Sequence, residues 1–223
     1  MSVSLNKFVA DTGVCSRREA DRWIEAGRLT INGTVAVKGN RVEPGDRVLL
    51  DGRPVGEQPE RIYLAFNKPA GVTCTTDSRD PDNIIDYIGY PERIFPVGRL
   101  DKASTGLIFL TNDGDVVNDV LRAEHEHEKE YIVTVDRPID EHFVRRMGGG
   151  LPILGKRTNR CTVEQLGKRK FRIVLTQGMN RQIRRMCEFL GYRVMTLKRI
   201  RIMDVELGDL PVGHYRFLPG FFA

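Results

Sequence analysis

Short apolar runs joined by brief, turn-rich connections are what most constrains the fold of this chain. Ile62-Tyr63-Leu64-Ala65-Phe66 reads as a strand, and so do residues 107–110, 129–135 and 171–175. Segments around 201–203 and 214–217 add two more. Past residue 60, helical spacing is confined to residues 116–121, 141–147 and 180–190, the last stopped by Gly191. A parallel crossover needs a dozen or more residues. Most connections here are shorter, so the pattern predicts a largely antiparallel α+β domain.

The first 54 residues form a unit of their own. Leu5, Phe8 and Val9 place an apolar stripe on a short helix ended by Gly13. Ser16 is placed as the N-cap of a second helix, with Glu19 where a capping box needs it. That helix runs through Trp23 and Ile24 to Gly27. Leu29-Thr30-Ile31 and Val35-Ala36-Val37 flank Asn32-Gly33, a strong hairpin signal. Pro44-Gly45-Asp46 turns the chain into a strand at 47–50. Residues 52–60 are polar and rich in Gly and Pro, as a linker is. The expected division is a domain at 1–54, a linker at 55–60 and a second domain at 61–223.

Arg18 and Arg22 share one face of the second helix. Arg17 and Arg18 sit in its first turn, against the helix dipole. Phosphate bound at the helix N-terminus would explain them; pairing with Glu19, Asp21 and Glu25 is the ordinary alternative.

The 223 residues carry a formal net charge of +5, unevenly spread. Between Lys156 and Arg201 there are fourteen Lys or Arg against two acids, Glu164 and Glu188. That segregation points to a polyanionic partner. No apolar run is long enough for a membrane helix, and the N-terminus lacks a signal-peptide pattern, so the expected location is the cytoplasm. Cys15, Cys74, Cys161 and Cys187 show no paired spacing and are expected as free thiols. His125, His127, His142 and His214 form no metal-ligand pattern, and no metal is expected. With no self-complementary apolar stripe, a monomer is expected.

Gly98-Arg99-Leu100-Asp101 sets one carboxylate among small residues, between Arg99 and Lys102. Cations nearby favour the ionised form, which can serve as nucleophile or base. The competing reading is an Asx-turn. Three other segments bear on the choice: Asn67-Lys68-Pro69-Ala70-Gly71, Lys129-Glu130-Tyr131 and Asn180-Arg181-Gln182-Ile183-Arg184-Arg185-Met186. Arg181, Arg184 and Arg185, spaced three and four apart, are expected on one helix face.

The string from Leu5-Asn6-Lys7-Phe8 through Ser16-Arg17-Arg18-Glu19-Ala20 to Val35 resembles the alpha-L RNA-binding domain. Together with the four segments of the second part, it makes the chain similar to the RsuA family of RNA pseudouridine synthases, nearest its F-type large-subunit ribosomal RNA branch. The resemblance implies a small alpha-L domain followed by a mainly antiparallel mixed-sheet catalytic domain, an enzyme without cofactor, and ribosomal RNA as partner. It implies Asp101 as the essential aspartate, Arg184 as its basic partner and Tyr131 as the ring stacked on the target base. Arg99 resembles the residue that fills the space left by a flipped base; a salt bridge to Asp101 is the other reading. Lys68 and Pro69 would shape the pocket floor, Pro69 by fixing its own φ and restraining Lys68. Lys7, Arg17, Arg18, Arg22, Asn180, Arg181 and Arg185 would contact RNA. The alternative class is a non-catalytic RNA-binding assembly factor on the same fold. A hydrolase using Asp101 and water lacks a second acid at a plausible site.

Overall fold

The computed structural model describes residues 2–121 and 127–221. His125 lies outside the described residues, as do the two C-terminal residues. The chain divides into two compact units. The first runs to Arg61 and gathers in two short segments, Pro91–Arg93 and Asn112–Gly114; the second comprises Ile62–Tyr90, Ile94–Thr111 and Asp115–Ala223.

The first unit places helices α1 (Leu5–Asp11) and α2 (Arg17–Glu25) beside strands β1 (Val3–Ser4), β2 (Leu29–Ile31), β3 (Thr34–Val35), β4 (Arg41–Val42), β5 (Val48–Leu50) and β6 (Arg53–Pro54). Its sheet runs β3-β2-β5-β6, all antiparallel, while β1 pairs with β4 alone. Ser16 Oγ accepts the Glu19 N–H at 3.1 Å, so the expected cap forms. Leu5, Val9, Ala20, Ile24 and Leu29 meet in one core. Arg53–Pro54, expected within the linker stretch that starts at Gly52, is instead an edge strand on β5. Pro54 is tolerated there because an edge strand has a side without ladder bonds.

The second unit contains β7 (Tyr63–Lys68), α3 (Ile84–Ile88), β8 (Phe95–Val97), β9 (Thr105–Thr111), α4 (Gly114–Leu121), β10 (Lys129–Val135), α5 (Glu141–Gly148), β11 (Pro152–Ile153), β12 (Lys156–Arg157), β13 (Thr162–Gly167), β14 (Lys170–Leu175), α6 (Gln182–Phe189), β15 (Val194–Ile202), β16 (Val205–Glu206) and β17 (Tyr215–Phe217). The principal sheet runs β13-β14-β10-β15-β9-β7-β17. Its described pairings are antiparallel except β15 with β9, where Lys198 faces Thr105 and Arg199 faces Gly106. One core holds Phe66, Ile108, Val133, Phe171 and Leu197, joined by Ile183 and Met186 of α6. Another holds Ala65, Phe109, Ile202 and Phe221.

The four cysteines are free. Among the described residues no helix is long and apolar enough to cross a membrane.

The parallel contact depends on Gly106. Its φ is +101°, and a Cβ there would stand 2.1 Å from the Arg199 carbonyl oxygen. That neighbour is backbone and cannot rotate away. Gly106→Ala should therefore destabilise the protein by about 3 kcal/mol or more. Urea unfolding measures it, and a variant as stable as the parent would refute the close approach.

Candidate active site

Asp101 lies in a turn directly before β9, closed by the Ser104 N–H donating to the Asp101 carbonyl at 2.9 Å. Beneath that turn Lys68 is fully buried at the end of β7. Its Nζ donates to the Pro69 and Val72 carbonyls, each at 2.8 Å, and reaches that of Lys102 at 3.4 Å. Three carbonyls match the three protons of an ammonium. Burial holds the Lys68 pKa below its ordinary value, with Asp101 pulling the other way. Lys68 thus ties the loop after β7 to the loop that carries Asp101. Pro69 is partly exposed in the first of these loops.

Arg184 comes from the first turn of α6. Its Nε donates to Asp101 Oδ2 at 3.3 Å, and its Nη2 donates to Ser104 Oγ at 3.0 Å. The Arg184 side chain is only 10 % exposed and that of Asp101 is 29 % exposed. The cation is interior, and the carboxylate keeps an open side. A guanidinium this buried requires its acceptors, because removing one partner of such a pair typically costs several kcal/mol.

Arg181 stands 3.9 Å from the same Oδ2. Its φ is +51°, a left-handed N-cap just outside the helix. The expected shared face for Arg181, Arg184 and Arg185 is therefore corrected: the helix begins at Gln182, and Arg181 meets Asp101 from its entry turn. Arg185 instead folds back on Asn180, donating to its carbonyl at 3.0 Å and its Oδ1 at 3.2 Å.

The sequence neighbours of Asp101 do not hold it. Lys102 pairs with Asp82 at 2.6 Å. Arg99 is exposed and forms no ion pair among the described residues, so its proposed salt bridge to Asp101 is absent. Tyr131 is buried on β10, opposite Ile173 on one side and Arg199 on the other. The Arg199 guanidinium carbon lies 5.9 Å from its ring centre, within cation–π range. Arg199 itself is buried, and its Nε donates to the Leu107 carbonyl at 2.6 Å.

Sequence reasoning overlooked Ser104 and Arg199. Ser104 sits in a short turn with no charge to draw notice. Arg199 occupies an inward position of β15, two residues after buried Leu197 and three before buried Ile202. A strand pattern there would have exposed a cation at a core position. Burial raises the Cys74 pKa, although the Leu100 N–H donates to its sulfur at 3.4 Å, and the thiol packs in the principal core.

In the first unit, Arg17, Arg18 and Arg22 are exposed and form no ion pair among the described residues. The alternative reading, pairing with Glu19, Asp21 and Glu25, is not met among the described residues. Lys7 differs: it bonds Asp11 at 2.6 Å along α1 and is mostly covered.

Comparison with known proteins follows this division. Residues 62–189 match the family described as RNA pseudouridylate synthase, and residues 3–55 match the S4 domain. The chain is 52 % identical over 219 residues to the dual-specificity RNA pseudouridine synthase RluF of Escherichia coli strain K12, covering 97 % of this chain and 76 % of the relative. It is 32 % identical to the ribosomal large subunit pseudouridine synthase B of Bacillus subtilis, covering 96 % of this chain and 91 % of that one. A crystal structure of a pseudouridylate synthase superposes with a TM-score of 0.70 at 29 % identity, covering 97 % of this chain and 96 % of the other.

The geometry makes Arg184 the group that orients Asp101. Arg184→Met should lower turnover about 100-fold, the scale seen when one preorganised donor is lost. Arg184→Lys should recover part of it, because an ammonium keeps the charge and loses the fork that spans Asp101 and Ser104. Equal turnover in all three proteins, under single-turnover conditions, would contradict this role.

Proposed function

The chain belongs to the RNA pseudouridylate synthase family, and we propose that it converts a uridine of large-subunit ribosomal RNA to pseudouridine with Asp101 as the reacting carboxylate. The observation that carries the reading is the Asp101–Arg184–Ser104 arrangement, which leaves one half-open carboxylate fixed by a buried guanidinium. The large-subunit assignment draws on the Bacillus subtilis relative, a ribosomal large subunit pseudouridine synthase.

The reaction is an isomerisation. The bond between ribose C1′ and base N1 breaks, the base turns, and C1′ bonds to C5. C5 gives up its proton, and N1 ends with one. Atoms and electrons balance without a co-reactant. Asp101 acts at the ribose, by attack on C1′ or removal of the C2′ proton, and either route uses the ionised carboxylate. Tyr131 gives the base a flat face, a contact worth about 1–3 kcal/mol, with Arg199 packed near the same ring. The uridine must leave its stack to reach this site. Arg99, exposed beside Asp101 and free of any ion pair among the described residues, fills the vacated place. Lys68 and Pro69 form the floor of the pocket.

Residues 1–54 place the RNA, the chemistry belongs to 61–223, and residues 55–60 link the two. Arg17, Arg18, Arg22, Asn180, Arg181 and Arg185 are the RNA-facing polar groups. The enzyme works as a cytoplasmic monomer with no obligate protein partner.

Pseudouridine mapping of total RNA, by carbodiimide-blocked primer extension, tests the substrate. Cells lacking the gene should lose a modification in large-subunit ribosomal RNA; no loss in that RNA would contradict the proposal. Replacing Arg17, Arg18 and Arg22 together by Gln should reduce the salt slope of RNA binding by about 2, on the scale of one released counterion per phosphate contact. An unchanged slope would remove these arginines from the interface.

A further inference from the structure

Three hairpins of this protein share one two-residue turn. Asn32-Gly33, Asp51-Gly52 and Leu154-Gly155 join adjacent antiparallel strands, and each first residue has φ near +50°. Such turns need positive φ at both positions, which suits Asn, Asp and Gly. Leucine gains no local hydrogen bond there and carries the steric penalty of its Cβ. Met203 is the other apolar residue with φ near +50°, and it packs against a core cluster. Leu154 belongs to no core cluster and is 52 % exposed. Folding alone does not explain a leucine held at that tip.

The hairpin around it is anchored and basic. Ile153, one residue back, is buried in the principal core. Leu151 and Thr158 close the stem with the Thr158 N–H donating to the Leu151 carbonyl at 2.9 Å and the Leu151 N–H donating to Thr158 Oγ1 at 3.0 Å. Lys156 and Arg157 on β12 are exposed. From His142 to Val163 the chain carries five Arg or Lys and no acid. The hairpin is also tied to the catalytic helix. Gln177 Oε1 accepts the Asn159 N–H at 3.1 Å and the Gln182 Nε2 at 3.2 Å, and Gln182 opens the helix that carries Arg184.

We infer that this hairpin is an RNA wedge: Leu154 inserts against bases flanking the target uridine while Lys156 and Arg157 meet the adjoining phosphates. An apolar side chain pushed between bases unstacks them and supports flipping of the neighbouring nucleotide. Leu154 stands exposed at the turn, and the basic flanks match the charge of a nucleic-acid strand. The inference rests on the proposed ribosomal RNA substrate and assigns a second element, besides Arg99, to opening the RNA.

Leu154→Asn in the full-length protein tests it, because Asn accepts the left-handed turn and should leave the melting temperature unchanged or higher. The RNAs are transcribed large-subunit stem-loops, one with the pairs beside the modified uridine intact and one with those pairs mismatched. On the paired RNA the variant should lose kcat/KM by about tenfold or more. On the mismatched RNA, which is already unstacked, the difference from wild type should shrink below about threefold. Equal rates on the paired RNA, or the same loss on both RNAs, would overturn the wedge. Wild-type protein that makes no pseudouridine in either transcript would instead overturn the substrate reading, and the wedge with it.

Discussion

Arg184 reaches Asp101 across 83 residues of sequence, and the site rests on that contact. Its guanidinium is nearly out of water, so it is held only if Asp101 and Ser104 stand where its nitrogens point. The requirement works in both directions. The carboxylate is fixed because the cation cannot relax, and the carboxylate, not the cation, retains access to solvent. Lys68 repeats the arrangement one layer down: a buried ammonium satisfied by backbone carbonyls, including that of Lys102 next to Asp101. The Asp101 turn is thereby tied to Lys68 through the Lys102 carbonyl and to α6 through Arg184.

The sheet brings Tyr131 and Arg199 together. Close approach of Gly106 to Arg199 allows β9 and β15 to pair in parallel within an otherwise antiparallel sheet. This sets Arg199 beside Tyr131. Next to Tyr131 on β10, Glu130 accepts from Arg172 at 2.6 Å and from Arg201 at 2.8 Å. Those hydrogen bonds hold the Glu130 carboxyl below its usual pKa. The basic excess of residues 156–201 therefore has two destinations. Arg172, Arg184, Arg199 and Arg201 serve the interior or its ion pairs, while Lys156, Arg157, Arg160 and Lys168 face solvent.

Local chemistry was legible in the sequence. The Ser16 cap, the Asn32-Gly33 turn and the strands at 129–135 and 170–175 follow from signals a few residues long. The prominence of Asp101 was legible too, and its partner Arg184 was implied by the family resemblance, though not by local charge. The adjacent cations Arg99 and Lys102 were the natural choice, yet Lys102 turns to Asp82 and the distant Arg184 takes the contact. Two-residue strands such as Val3–Ser4 and Arg41–Val42 have no period to detect, and their pairing depends on tertiary closure. Strand β15 runs nine residues, but its cations at 198, 199 and 201 hid the alternation, since one is buried and another is drawn into the Glu130 pair. The left-handed turn at Arg181 goes against the local preference of an arginine, so no local signal announces it.

The account stands on Asp101 as the reacting group, and Asp101→Asn measures that most directly. Asn keeps the shape and one acceptor oxygen for Arg184 while removing the charge. Single-turnover assays on large-subunit ribosomal RNA should then show no pseudouridine, with RNA affinity within about threefold of wild type, since phosphate contacts dominate binding. An Asn variant that forms pseudouridine at the wild-type rate would contradict the account, and the chemistry would have to be sought in another residue.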